Sequence, residues 1–240
     1  MPLNSFTNKK ALFAPHHPLP YAPLVIRDTF LLRFCWGKHV IHLGCADWPF
    51  TRNRYEAKQL LHQKLERVCA AIAGIDISED GISFLRSRGI GDLFVGDASR
   101  IWEISHNLGW SPEIILAGEI LEHVDASGPF LKEIAQQMPL NCSLLITVPN
   151  AFSIKGLLHI IIGHEKVNAE HVAYYSFSTM SQLLSRCGLK LVSMSCYKTQ
   201  SGNAVEQAFD ILLAPILRIR PHLSDGLIFC CRHLTPALNG

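Results

Sequence analysis

Five nearly unbroken apolar runs, at 40–44, 71–77, 92–96, 113–118 and 142–148, constrain the fold of this chain more than any other feature. Each has the length of a strand, and the stretches between them, at 52–66, 79–88, 100–107 and 127–138, are expected to be helices. Gly89 ends the second of these, and Gly91 and Gly109 punctuate the segments that follow. A strand with so few polar positions has to be covered on both faces, as in a parallel sheet. Regular alternation with helices implies right-handed crossovers and helices on both sides. Further strands at 189–197 and 227–233, and helices at 178–187 and about 203–217, complete a doubly wound α/β sheet of seven strands, mostly parallel. A chain of 240 residues, 48% hydrophobic, suffices for the core of one such domain.

Open sheets of this kind bind ligands beyond the carboxyl ends of their strands. At the first of those ends, in Val40-Ile41-His42-Leu43-Gly44-Cys45-Ala46-Asp47-Trp48, the small residues Gly44 and Ala46 leave room for a ligand to approach the main chain. Asp47 and Pro49 suit the start of a helix just beyond. About thirty residues later Asp76 closes the run Ala73-Gly74-Ile75-Asp76-Ile77-Ser78, at the position from which doubly wound sheets hold ribose hydroxyls. Asp76 equally suits capping a helix that begins at Ser78 or Glu79, and Asp97 suits a turn.

Further segments fall in an order that resembles the class I S-adenosylmethionine-dependent methyltransferases, from about Val40 onward. They are Leu93-Phe94-Val95-Gly96-Asp97-Ala98, Glu113-Ile114-Ile115-Leu116-Ala117-Gly118-Glu119-Ile120-Leu121-Glu122-His123-Val124, Leu144-Leu145-Ile146-Thr147-Val148-Pro149-Asn150 and His171-Val172-Ala173-Tyr174-Tyr175-Ser176. The resemblance implies a Rossmann-like sheet and S-adenosylmethionine as methyl donor. It assigns Gly44 and its neighbours His42, Cys45 and Ala46 to the methionine portion, Asp76 to the ribose hydroxyls and Asp97 to the adenine amino group, with Ile77, Ala98 and Gly118 also among the cofactor-binding residues. His42 stands where the family carries an acid, Ala46 and Trp48 where it carries glycines, and Glu113 where its fourth strand begins with Asp. These departures leave open a second reading, a methyltransferase-fold protein that does no chemistry and serves as a partner.

Glu119-x-x-Glu122-His123 places two carboxylates and an imidazole at i, i+3 and i+4, which on a helical turn share one face. The element resembles those of small-RNA 2'-O-methyltransferases and of ubiquinone-biosynthesis O-methyltransferases. By that resemblance Glu119, Glu122, His123 and His171 would hold a divalent ion, Mg, Mn, Zn or Fe, against an acceptor hydroxyl. Without an ion, His123 or His171 is the general base, with Glu122 beside it. Both routes lead to methylation of a hydroxyl, and the pattern His171-Val172-Ala173-Tyr174-Tyr175-Ser176, which resembles that of bacterial methyltransferases acting on sugars or polyketide-like metabolites, implies a small-molecule acceptor, sugar-like or a secondary metabolite. His16, His17, His62 and His106 lack such a constellation and are expected at the surface.

The formal charge of +2 gives no basic surface of the kind nucleic acid requires. Eight scattered cysteines, none spaced Cys-x-x-Cys, read as reduced and buried thiols. No apolar run approaches membrane-spanning length and no secretory leader is visible, so a cytoplasmic protein is expected. Residues 1–35, Pro-rich from Pro15 to Pro23, form an N-terminal arm or lid ahead of the domain at 36–240. Residues 151–177 form an insertion on the substrate side, whose apolar 154–163 is expected to be a helix against the substrate pocket, few flanking basic residues arguing against a membrane-surface helix.

Overall fold

A computed structural model describes residues 18–101, 106, 108–199 and 204–234. Eight strands form one mixed sheet: β1 Leu24–Ile26, β2 His39–Leu43, β3 Ala71–Asp76, β4 Leu93–Val95, β5 Ile114–Gly118, β6 Ser143–Pro149, β7 Leu189–Lys198 and β8 Gly226–His233. Their order is β1-β7-β8-β6-β5-β2-β3-β4, with β8 antiparallel between β6 and β7 and every other pairing parallel. The seven expected strands are present. The expectation of seven in all is corrected by β1, which joins the edge in register Leu24↔Cys196, Val25↔Tyr197, Ile26↔Lys198.

Side-chain alternation along the central strands builds a separate core on each face. Val40, Ile114 and Leu116 point into one, with Leu31 and Cys35 of helix α1, Arg27–Cys35. Ile41, Leu43, Ile115 and Ala117 point into the other, against helices α5, Ser127–Gln137, and α7, Phe177–Arg186. Burying a side chain such as Leu31 stabilises the fold by roughly 1.5–3 kcal/mol, so α1 belongs to the domain core.

The stretch expected as one helix at 52–66 is two, α2 Thr51–Glu56 and α3 Leu61–Leu65. Lys58 takes a left-handed conformation, φ 58°, and stops the first. The break lets Leu60 enter a small cluster with Ile82 and Leu85 of helix α4, Glu79–Ser87, while Leu65 packs with Leu31. One straight helix would not serve both cores. Ser78 caps α4 by accepting from the Gly81 amide at 3.0 Å, and Ser176 with Thr179 forms a capping box on α7. The insertion contains α6, Ile154–Ile161, and α8 is Ala204–Ile219. Most of the short helix expected at 100–107 lies outside the described residues.

Candidate active site

The carboxyl ends of β2 to β6 share one edge, and the residues singled out above lie along it. Gly44, φ 67°, follows β2; a Cβ there would stand 3.1 Å from the Ile120 side chain, so only glycine fits both the turn and the space. Ile75 O accepts from the Gly44 and Cys45 amides at 2.8 and 3.2 Å, while the Ala46 amide donates to Asp76 Oδ2 at 2.8 Å. Asp76 Oδ1 accepts from the Ser78 amide at 2.9 Å. The carboxylate therefore ties the first two strand-end loops together, and each oxygen keeps lone-pair capacity for a hydroxyl. Ile77 beside it is exposed, Asp97 accepts from the Ser99 amide at 2.8 Å, and Ala98 is half-buried on the main core. The helix after the first loop starts at Thr51 rather than at Asp47, whose carboxylate pairs with Arg54.

His42 is buried against His62. Its Nδ1 lies 3.2 Å from Nδ1 of His62, with the rings stacked at 5.4 Å. One Nδ1 donates and the other accepts, so the accepting ring is neutral. Burial pushes His42 well below the usual histidine range and His62 down to about 4. The surface position expected for His62 is thus wrong: the side chain is fully enclosed. His106 is exposed, and His16 and His17 lie outside the described residues.

The fourth strand end divides the Glu-x-x-Glu-His element in two. Glu119 is left-handed at φ 56°, and only Leu121–His123 forms a helical turn, of 3-10 type. The single shared helical face is therefore not formed. Glu119 Oε1 accepts from the Tyr197 hydroxyl at 2.6 Å and from Thr147 Oγ1 at 3.0 Å. Arg27 Nε lies 3.2 Å from the same Thr147 oxygen, and an Arg27 Nη2 stands 3.0 Å from where a Gly118 Cβ would be. Burial works against the Arg27 charge, but Glu119, Tyr197, Asp28 and Glu122 outweigh it and hold the guanidinium protonated. Gly226 leaves the space that the Tyr197 ring fills.

Glu122, His123 and His171 form the other group: one ligand atom of each lies within 4.8 Å of the other two. The Glu122 carboxyl is fully buried, and both its oxygens lack a hydrogen-bond partner. Burial first, and Glu119 second, push it up to about 8. The His123 and His171 rings meet edge to face at 4.6 Å, and His171 Nδ1 is also buried without a partner. Burial and His123 lower the His171 pKa, against Glu119 and Glu170. The backbone brings His171 here: the Val172 amide donates to Glu122 O at 2.8 Å, and the Tyr175 hydroxyl reaches Leu121 O at 3.1 Å and Ser127 Oγ at 2.8 Å.

Sequence reading missed Arg27, Thr147, Tyr197 and His62. Arg27 and Thr147 are 120 positions apart, so no local pattern links them.

The fold is shared with S-adenosylmethionine-dependent methyltransferases. One from Archaeoglobus fulgidus superimposes with a TM-score of 0.54 at 17% identity, over 86% of this chain and 92% of the other. The magnesium protoporphyrin IX methyltransferase of Synechocystis, solved with bound S-adenosylhomocysteine, gives 0.55 at 12% identity over 86% and 82%. The small RNA methyltransferase HEN1 gives 0.57 at 16% identity, over 91% of this chain but 27% of that one. No family model and no curated protein matches the chain by sequence.

Proposed function

We propose that the protein is a methyltransferase that moves a methyl group from S-adenosylmethionine to a hydroxyl of a small molecule. The fold supports the donor. The observation that carries the acceptor chemistry is the buried, unpartnered Glu122 carboxyl facing His123 and His171. A hydroxyl needs its proton removed as it attacks the methyl carbon, and a carboxyl pushed up to about 8 exchanges a proton near neutral pH. His171, neutral and with Nδ1 unpartnered, is the second acceptor for that proton.

At the donor end, Gly44 and Gly118 give a floor without side chains, Asp76 offers its remaining lone pairs to ribose hydroxyls, and exposed Ile77 offers an apolar surface beside them. Arg27, the first residue of α1, would pair with the donor's carboxylate. Holding both reactants in line is the main contribution such a site makes.

The same trio fits a divalent ion. One carboxylate and two imidazoles are a mixed oxygen and nitrogen set suited to Zn, Fe or Mn, and to Mg less well. The orphaned Glu122 oxygens and His171 Nδ1 are the atoms that would hold it, whereas Glu119 is engaged by Tyr197 and Thr147. When bound, such an ion supplies Lewis acidity that lowers the pKa of a hydroxyl.

Titration calorimetry with S-adenosylhomocysteine, followed by turnover on hydroxylated acceptors before and after exhaustive chelation, tests the reading. Binding with turnover lost on chelation supports the ion. Turnover that survives chelation but fails in His171→Ala supports metal-free base catalysis. Absence of donor binding overturns the enzyme and leaves the fold as a partner module.

A further inference from the structure

Helix α6 has Ile or Leu at five of its eight positions, yet none of its residues is buried. Ile160, Ile161 and the following Ile162 are 60 to 78% exposed. Lys155 reaches Asp210 at 2.7 Å, which sets α6 beside α8. That helix buries Leu213 and Leu217 and turns Ile211, Leu212, Ile216 and Ile219 outward. Water-facing apolar surface on two adjacent helices calls for a cover.

We propose that this face docks on an anionic bilayer and that the methyl acceptor is a hydroxylated amphiphile taken from it. The acceptor class rests on the methyl-transfer reading above. Charge distribution selects the bilayer. Asp210 and Asp225, beneath the apolar face, are neutralised by Lys155, with Lys198 also near Asp210. The rim carries exposed Arg218 and Arg220 at the end of α8, and exposed Lys166 just beyond α6, opposed by Glu165. An apolar centre with a cationic rim matches acyl chains bordered by phosphates. A twofold contact between copies would instead bring these cations near one another. No helix among the described residues is long and apolar enough to cross a membrane, so the contact is interfacial. Residues 162–170 lead directly from α6 to His171, joining the docking face to the acceptor end of the site.

Co-sedimentation of the full chain with vesicles tests the proposal. Phosphatidylcholine containing about one-third phosphatidylglycerol should retain the protein, more weakly as salt rises, and phosphatidylcholine alone should retain far less. Ile160→Glu with Ile161→Glu, or Ile211→Glu with Leu212→Glu, should weaken binding at least about tenfold, with the thermal midpoint and S-adenosylhomocysteine affinity unchanged. Arg218→Gln with Arg220→Gln should cost roughly fivefold per cation on anionic vesicles only. No sedimentation with either vesicle, or equal binding by all variants, overturns the docking. So does a solution dimer that the same substitutions dissociate while vesicle binding is absent. Sedimentation is read without turnover, so failure of methyl transfer leaves the docking standing. Conversely, efficient methylation of a water-soluble acceptor by a protein that still sediments with anionic vesicles removes the acceptor class alone.

Discussion

Replacing Glu122 by Gln should stabilise the metal-free protein at neutral pH, although it removes the group placed at the centre of the site. The folded-state pKa of about 8 lies above the ordinary 4.5. The folded protein therefore holds a proton that the unfolded chain gives up, and stability is greatest below 4.5 and falls as pH rises toward 8. At pH 7.5 the loss spans about three units, at about 1.4 kcal/mol each, or about 4 kcal/mol before the chain relaxes. Gln leaves a buried polar group much as the protonated acid does, so the ionisation cost is the main difference between the two. For a chain of this size 1 kcal/mol corresponds to roughly 2–4 °C, so before relaxation the variant should melt roughly 8–16 °C higher at pH 7.5 and no higher at pH 4.5. Thermal melts in chelator from pH 4.5 to 8 give both curves. Adding zinc or manganese should then raise the wild type, increasingly so at higher pH, and leave the variant almost unmoved. A wild-type profile that stays flat across this range, or a variant less stable at pH 7.5, would refute the reasoning by showing that the carboxyl has partners.

Asp76→Ala should weaken S-adenosylhomocysteine binding in calorimetry and also lower the melting temperature, because it removes acceptors from the Ala46 and Ser78 amides, each bond worth roughly 1.5–3 kcal/mol; a variant of unchanged stability contradicts the tie. Arg27→Gln should reduce affinity for S-adenosylhomocysteine about tenfold or more while leaving that for 5'-methylthioadenosine, which lacks the carboxylate, unaltered; equal losses for both ligands would assign Arg27 to structure only. His42 and His62 have folded pKa values below the unfolded value near 6.5, so their contribution is present above that pH and is lost as pH falls toward 4. Denaturant melts should show this acid limb, and in His62→Asn its slope should lessen.

Five strands were legible because each is a nearly unbroken apolar run beside a helix-length segment, and β7 and β8, which turn Lys190 and Arg232 to solvent, were legible as the continuation of that alternation. The eighth, Leu24-Val25-Ile26, follows Pro23, is three residues long and has one neighbour, so composition gives it no outline. The donor-side loops were legible for the same reason as the strands, since Gly44 and Asp76 lie at strand ends. Glu119 leaves the expected helical face because helical spacing presumes helical backbone, and the left-handed turn after Gly118 swings it toward Tyr197. His62 sits between Leu61 and the partly buried Gln63 and Lys64, a context that reads as surface; its burial comes from packing against β2 and β3.

The pairing of β1 with β7 also orders events during assembly. Leu24 must wait for Cys196, and β7 is itself held by β8, so the edge next to Arg27 closes only after nearly the whole chain has been made. A contact this distant in sequence carries a large loop-closure cost and forms late. The donor loops of β2 and β3, neighbours in sequence as in space, can be in place well before it. On the ribosome the protein would pass through a state with the loops after β2 and β3 built and the edge beside Arg27 open.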